Sequence, residues 1–323
     1  MRNKRPFPKI PVLLCLVVIA VVVFQYRAYR LPYDHPLTPS LMKEGGVDLV
    51  SGMLLPDSVP AIDHPKFEST SVADQYLNND GLGISVESNG ASRFYPYQIL
   101  VWHHVVNDVI SGQPLLVSYN PFAMSGAVYQ RTTQGTVLDF GLSDKLANSN
   151  LLLYDRATHS LWDPMTHSAI DGEKKGTVLA RYPSTVMLWN TYKTVHPDGQ
   201  VLSRDTGFSR DYTHDPYGDY VYSEKILFPV THKDDRLASK VLVYGIEWNQ
   251  KQKAYPIMLL EKQNTVRDSI DGANISVEYD AKSHVVHAYQ LDASGNHQNE
   301  IPVTESFWFA WVAGFPNTDL YHS

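Results

Sequence analysis

The histidines are the first candidates for chemistry in this sequence, because their charge changes near neutral pH and they can ligate metals. The chain has 13 of them, and His103 and His104 are adjacent. Neighbouring side chains on a helix point about 100° apart, so these two are poorly placed to share one ion. A transition-metal site that joins His103 or His104 to distant carboxylates stays open, beside the plainer interpretation of a hydrogen-bonded histidine.

Charged and aromatic residues are also concentrated between residues 203 and 240, where arginine, aspartate, histidine and tyrosine alternate. Such a set can bind a polar ligand through bidentate and stacking contacts, or supply two carboxylates for acid and base catalysis. It can equally form ion pairs that fix a long loop. The candidates in this insert are Arg210, Asp211, Asp215, His232, Asp234, Asp235 and Arg236.

A further candidate pair, Asp155 and Arg156, lies at the turn of a predicted hairpin. An Asp-Arg pair is ordinary at a turn, because aspartate accepts hydrogen bonds from the turn backbone. A ligand contact and a purely structural contact therefore both stay open for these two residues.

The composition excludes several kinds of site. Cys15 is the single cysteine and lies in an apolar run, so the rest of the chain can form no disulfide, thiolate zinc site or iron–sulfur cluster. Phosphate-loop, dinucleotide-binding and His-Glu-x-x-His motifs are absent, and the sequence identifies no cofactor. The net charge of -7 gives no basic footprint, so we expect no nucleic-acid partner.

The amino terminus has the pattern of a membrane anchor. Four basic residues precede an uncharged, mostly apolar run at residues 10–26, and the small residues of a cleavage site do not follow it. The excess of basic residues before the run predicts that the amino terminus stays in the cytoplasm. We therefore predict a cytoplasmic tip and signal anchor at residues 1–30 and a tether at residues 31–60. The protein is then single-pass in the cell membrane, with its ectodomain outside the cytoplasm, periplasmic or extracellular.

Two segments of the chain resemble each other. Residues 95–130 align with residues 255–290 without a gap, with eleven identities in 36 positions. Upstream, the same comparison aligns Gly83 with Gly245, which requires a shorter loop in the second copy. Residues shared by both copies are typical of structural roles. Positions that differ between the two copies are better candidates for function. Asn107 therefore joins His103 as a candidate functional residue.

Local patterns predict the elements that position these residues. Asn89-Gly90 between alternating residues predicts a β-hairpin, and an amphipathic segment at residues 97–106 predicts a helix. Each copy is predicted to close with a helix capped near Thr185 or Thr304. The predicted fold class is a β-rich α+β fold. We expect a single ectodomain built from two copies of an internal repeat, with one amino-terminal transmembrane helix. The predicted boundaries are residues 61–202 for the first unit, 203–240 for the polar insert and 241–323 for the second unit.

Many short motifs follow one another along the chain. They are Pro60 to Phe67, Tyr95-Pro96, Trp102-His103, Asn107-Asp108, Leu152 to Arg156, Ser160-Leu161-Trp162, Thr206-Gly207, Arg210-Asp211-Tyr212, Asp215-Pro216-Tyr217, Asp234 to Leu237 and Phe307 to Trp311. In this order they resemble one family, the bacterial and archaeal domain of unknown function 3179, over about residues 55–322. The resemblance is specific because so many motifs occur in one order. It implies a shared architecture and a set of recurring residues, but no reaction.

One departure from the family pattern concerns two cysteines. The family commonly has Cys-Pro-x-Cys after the strand that ends here at Tyr119, whereas this chain has Asn120 and Ala123 at those positions. If the pair serves a metal, a cofactor or a redox step with the histidine that matches His103, this chain lacks both sulfur atoms that would take part in that activity. Asn120 keeps an amide that can contact a ligand, and Ala123 offers no polar side-chain atom.

The sequence favours a membrane-anchored binding or accessory protein with a ligand site near His103 and residues 205–237. One alternative is a hydrolase of a cell-envelope polymer, for which two insert aspartates should face each other across roughly 5 to 10 Å. The other alternative is a transition-metal-binding protein. The predicted partners are the membrane, through residues 10–26, and an unknown extracytoplasmic ligand or protein.

Overall fold

The computed structural model describes residues 40–44, 47–51 and 55–322. The described residues form one compact unit. In this described part no helix is long and apolar enough to cross a membrane. The predicted anchor at residues 10–26 lies outside the described residues, and so do residues 31–39, 45–46 and 52–54 of the predicted tether.

Twenty-four strands are the main regular elements of the described structure. Numbered along the chain, they are β1 (Ser40–Glu44), β2 (Val47–Ser51), β3 (Phe67–Ser69), β4 (Leu82–Ser88), β5 (Ala91–Pro96), β6 (Val105–Ile110), β7 (Gln113–Asn120), β8 (Ser125–Gln130), β9 (Thr132–Thr133), β10 (Thr136–Val137), β11 (Phe140–Ala147), β12 (Asn150–Asp155), β13 (Leu161–Asp163), β14 (Ser168–Asp171), β15 (Thr185–Leu188), β16 (Gln200–Leu202), β17 (Leu242–Trp248), β18 (Lys251–Pro256), β19 (Thr265–Ile270), β20 (Ala273–Asp280), β21 (Val285–Leu291), β22 (His297–Ile301), β23 (Val303–Phe307) and β24 (Asp319–Leu320).

The helices in the described residues are short. They are α1 (Thr70–Ala73), α2 (Tyr97–Leu100), α3 (Trp189–Val195), α4 (Ile257–Gln263), α5 (Trp308–Gly314) and a 3-10 turn at Tyr220–Tyr222. The strands form six sheets, with the orders β1-β2-β11-β12-β13-β14, β15-β4-β5-β16-β3, β6-β7-β8, β23-β17-β18-β24, β19-β20-β21-β22 and β10-β9.

The predicted fold class, a two-copy α+β ectodomain, is wrong. The described chain is β-rich with few helices, and its five larger sheets have an arrangement like a five-bladed β-propeller. The segment at residues 97–106 shows why the helix content was overestimated. Only Tyr97–Leu100 is helical, and the β-branched residues Val105 and Val106 start a strand that pairs with β7.

The two aligned segments nevertheless form similar local pairings. Ile84 pairs with Tyr95 in the first β-hairpin, and Tyr244 pairs with Tyr255 in the second. Both hairpins turn through two residues, so the offset of 160 residues continues through them. The alignment of Gly83 with Gly245 is therefore wrong.

The helices that follow β15 and β23 do not begin at threonine caps. Their N-cap residues are Leu188 and Phe307, without a side-chain hydrogen bond, and Thr185 and Thr304 lie in the preceding strands. These helices are held by burial instead, because Trp189 and Trp308 at their first positions are fully buried.

Candidate functional site

A cleft of about 570 Å³ beside β6 brings together charged side chains from distant parts of the chain. Guanidinium and carboxylate groups occur in equal numbers among the residues that line it. The arginines are Arg93, Arg131 and Arg156, and the aspartates are Asp63, Asp108 and Asp139.

Asp63 is held by two residues that the sequence had singled out. Asn107 Nδ2 donates to Asp63 Oδ1 at 2.7 Å, and Arg156 Nη1 donates to Asp63 Oδ2 at 2.6 Å. The backbone of Phe140 fixes the Asn107 amide, since its amide nitrogen and carbonyl oxygen bond the side chain at 2.9 and 2.8 Å. The Arg156 and Asp63 side chains are 33% and 34% exposed, so a ligand can reach them from solvent.

Backbone pairing explains how Asp63 reaches this position. Ile62 forms a parallel bridge with Val106, in which Ile62 N donates to the Val105 carbonyl and Asn107 N donates to the Ile62 carbonyl, both at 2.9 Å. The bridge aligns the segment before β3 with β6 and sets Asp63 beside Asn107. Arg156 follows β12, and its amide donates to the Asp139 carbonyl at 2.9 Å.

The other arginines of the cleft also have carboxylate partners. Arg131 Nη1 contacts Asp139 Oδ1 at 2.7 Å, and Arg93 Nη1 contacts Asp108 Oδ2 at 2.6 Å. Tyr95 donates its hydroxyl proton to the same Asp108 carboxylate. Burial raises the pKa of Tyr95 well above its ordinary value and the Asp108 charge adds to this, so the phenol remains a donor.

The second aligned segment repeats the Arg93 arrangement. Lys253 Nζ contacts Asp268 Oδ2 at 2.6 Å, and Tyr255 donates to the same oxygen at 3.0 Å. Because the arrangement occurs in both segments, the pairing of Arg93 with Asp108 is typical of a structural role. Asp63, Asn107, Arg131, Asp139 and Arg156 belong to the first segment and its neighbours alone, and they distinguish this cleft.

His103 is a fully buried link to the polar insert. Its Nδ1 bonds the Pro60 carbonyl at 2.8 Å and its Nε2 bonds the Tyr212 hydroxyl at 2.7 Å. Burial lowers the pKa of His103 to about 4, so the ring is neutral at pH 7. With both nitrogens engaged, His103 binds the insert to the segment that carries Asp63.

His104 faces the insert as well and occupies a left-handed backbone position at φ 61°. Its Nε2 lies 3.1 Å from the Val101 carbonyl and 2.9 Å from the Tyr217 hydroxyl. Burial lowers its pKa to about 3. Within the described residues no group of three or more histidine, cysteine, aspartate or glutamate side chains could hold a metal ion.

Asn120 and Asp155 are both buried and are engaged within the protein. Asn120 Nδ2 donates to Asn150 Oδ1, and its own Oδ1 accepts from the Phe122 amide at 3.1 Å. Asp155 accepts from the Thr158 amide at 2.6 Å and from Trp162 Nε1 at 3.0 Å, which fixes the turn after β12. Ala123, the other position at which the resemblance implies a cysteine, is fully buried in the apolar core.

Two candidate aspartates of the insert accept hydrogen bonds from near neighbours. Asp211 bonds the Thr213 amide and hydroxyl at 3.0 and 2.6 Å, and Asp215 bonds the Tyr217 amide at 2.7 Å. Hydrogen bonds from Thr213 lower the pKa of Asp211, while burial raises the pKa of Asp215. These local contacts favour loop fixation over a catalytic carboxylate pair.

The remaining insert candidates lie elsewhere. Arg236 binds Asp234 through Nε and Nη2 at 2.8 and 2.7 Å, and its guanidinium lies 5.2 Å from the centre of the Trp308 ring. His232 and Asp235 line a groove of about 1030 Å³ together with Asp234. Arg210 donates to the neighbouring Ser209 carbonyl at 3.0 Å. The candidate residues of the insert therefore lie at several separate places and do not form a single site.

Sequence reasoning missed Asp63, Arg131 and Asp139. Asp63 stands in the Pro60 to Phe67 motif, which was noted only as a carrier of the family resemblance. Asn107 is the residue from which this site could have been predicted, because it is polar and differs between the aligned segments. It is buried in β6. Arg131 and Asp139 flank the short pair β9 and β10, where the sequence shows no periodicity that would mark a site.

The fold and the cleft define a β-rich domain with a solvent-open site of paired arginines and aspartates. The sequence profile of a family described as a protein of unknown function (DUF3179) matches residues 56–318, and the chain belongs to that family. No curated protein and no solved structure matches the chain.

Proposed function

We propose that the protein binds an uncharged, hydroxyl-rich ligand of the saccharide class in the cleft around Asp63. The observation that carries the proposal is the pairing of three arginines with three aspartates in one cleft that is open to solvent. The proposed binding site therefore differs from the one expected from the sequence. It lies at the segment that carries Asp63, which His103 supports, and not at His103 and the insert.

The balance of charge in the cleft favours a neutral ligand. The three guanidinium and three carboxylate groups cancel, so neither an anion nor a cation gains a net attraction. Neighbouring hydroxyls can donate to a carboxylate and accept from a guanidinium at the same time. A charged ligand would have to break one of the existing pairs and leave its partner uncompensated. The volume of about 570 Å³ lies in the range of small-molecule sites.

The proposal also places the cleft outside the cytoplasm. Its support is the uncharged run at residues 10–26 with four basic residues before it. A cleft for saccharides on that side of the membrane would meet the polymers of the cell envelope.

Isothermal titration calorimetry of the full chain with neutral tetrasaccharides of glucose and of N-acetylglucosamine tests the proposal. We expect Asp63→Asn to weaken binding at least tenfold, about 1.4 kcal/mol, because the carboxylate that orients Arg156 and accepts from hydroxyls is lost. Asp205→Asn is the matched control. Asp205 pairs with Lys66 at 2.6 Å on the surface and does not line the cleft, so binding should stay within twofold.

Two results would contradict the proposal. One is wild-type affinity in Asp63→Asn for a saccharide that binds. The other is binding of acidic tetrasaccharides or inorganic phosphate in preference to every neutral member of the panel.

A further inference from the structure

A second cavity, of about 360 Å³, lies between β15 and β23 and contains a buried carboxylate. Glu305 of β23 lines this cavity and is 3% exposed. Neither of its carboxylate oxygens accepts a hydrogen bond from the described residues. Its ion-pair contact is His284 Nε2 at 3.7 Å, which is longer than a hydrogen bond. Burial of a carboxylate with so little compensation is costly, so Glu305 is unexpected in a purely structural position.

The corresponding residue pair of β4 and β15 carries no charge. Glu305 pairs with Tyr244 of β17, and the matching pair is Val186 with Ile84 of β4. Both pairs lie two positions before the end of the closing strand, with the buried tryptophan of the following helix next in the chain. The same backbone arrangement is therefore stable with two apolar side chains, and folding does not require Glu305.

The histidine beside Glu305 shows the same contrast. His284 corresponds to Met124 at the offset of 160 residues, and both have positive φ, at 58° and 52°. The nearby Glu305 carboxylate raises the pKa of His284. A polar group of Tyr244, His284 and Glu305 thus occupies positions that are apolar in the other segment.

A second buried polar atom lies against the wall of this cavity. Gly126 lines the cavity, and a Cβ added to it would lie 2.6 Å from the Tyr97 hydroxyl. That hydroxyl is buried and has no hydrogen-bond partner in the described chain. Burial raises the pKa of Tyr97 and the Glu305 charge adds to this, so the group is a neutral donor or acceptor.

The charged residues that line the cavity are mostly acidic. They include Glu87, Glu300 and Glu305 with His287, and no lysine or arginine. Glu87 and Glu300 each contact a histidine, at 3.3 and 2.6 Å, and are largely exposed at the rim. Apolar side chains such as Val186 and Val286 form the wall between the rim and Glu305.

We propose that this cavity binds an organic cation, an alkylammonium group whose aliphatic part lies against Val186 and Val286. The ammonium group supplies the donors that Glu305 lacks. Because Glu305 is buried, water screens its contact with a cation only weakly. This site is separate from the saccharide cleft and does not depend on it.

Calorimetric titration of the full chain with hexylammonium and with hexanol tests the proposal. The two probes have nearly the same size, but only the first is charged. We expect the wild-type chain to bind hexylammonium at least tenfold more tightly than hexanol. Glu305→Gln should weaken hexylammonium binding at least tenfold and change hexanol binding less than twofold. Glu300→Gln, the same change at the rim, should change hexylammonium binding less than threefold.

Val286→Phe provides a second test that leaves the charges unchanged. The larger ring should fill the cavity and weaken the binding of both probes at least tenfold. This variant also tests the proposal if the Glu305→Gln chain does not fold. The proposal is overturned if the wild-type chain binds neither probe or binds both equally. It is also overturned if hexylammonium binding survives in a folded Glu305→Gln chain or in Val286→Phe.

Discussion

The two adjacent histidines have different contacts although they share one environment. His103 uses both ring nitrogens, whereas Nδ1 of His104 is buried without a hydrogen-bond partner in the described chain. Burial keeps both rings neutral at pH 7, because it lowers the pKa of His103 to about 4 and that of His104 to about 3. Their contacts attach the insert through Tyr212 and Tyr217.

The lowered pKa of His104 predicts how stability depends on pH. In the unfolded chain the ring takes up a proton below its ordinary pKa of 6.5, while in the folded chain it stays neutral down to about pH 3. The unfolded state therefore gains stability as pH falls through this window. His104 should contribute a loss of about 2 to 3 kcal/mol in the free energy of unfolding between pH 6.5 and pH 4.5.

His104→Asn isolates this contribution, because asparagine tolerates a positive φ and does not titrate. Urea unfolding at pH 7 and at pH 4.5 should show a smaller pH-dependent loss in the variant than in the wild-type chain, by the amount given above. Equal losses in both chains would mean that His104 is protonated in the folded state, contrary to the effect of burial.

At the scale of elements, local patterns predicted the β-hairpins and the two closing helices, but they misplaced where the helices begin and end. The turn at Asn89-Gly90 and the alternating residues around it specify β4 and β5, and the structure confirms this pair. The segment after Tyr97 is different, because an amphipathic pattern in a short apolar run fits a helix and a buried strand equally. The closing helices depend on buried tryptophans, and those contacts are with residues far along the chain.

The close contact between β17 and α5 predicts how a substitution at this packing of elements changes stability. A Cβ on Gly245 would lie 2.2 Å from the Trp311 ring, and the ring is fully buried. Gly245→Ala should therefore lower the free energy of unfolding by about 1 to 3 kcal/mol through overpacking, measured by urea denaturation.

The double variant Gly245→Ala with Trp311→Leu provides the control. A smaller side chain at position 311 leaves room for the new methyl group, so the double variant should lose less stability than the sum of the single variants. Strict additivity would show that α5 does not lie on Gly245 as described.

At the scale of the whole molecule, the candidate site shows what sequence reasoning can and cannot find. Comparison of the two aligned segments singled out Asn107, and the turn after β12 singled out Arg156. Their meeting point at Asp63 could not be foreseen, because Arg156 and Asp63 are 93 residues apart in the chain. No periodic pattern reports which loops converge, and the irregular segment around Asp63 forms only an isolated bridge with β6.

The predicted membrane anchor is also a property of the whole molecule. Cell fractionation should find the full chain in the membrane pellet after an alkaline carbonate wash. Val17→Asp with Ile19→Asp should release it to the supernatant, because each charge at the centre of a span costs about 2.5 to 3.5 kcal/mol. Val17→Leu with Ile19→Leu is the matched control and should stay in the pellet. Release of the wild-type chain by the wash would rule out the anchor.

Hydrogen exchange of the full chain, with and without a tetrasaccharide that binds, tests the central claim about the Asp63 cleft most directly. We expect the ligand to slow exchange at residues 61–65, at residues 107–109 and around Arg156, since these backbone segments carry the side chains of the cleft. The claim is contradicted if these segments are unchanged while exchange slows at residues 183–187 and 300–305 of the second cavity, or at residues 226–239 of the insert groove.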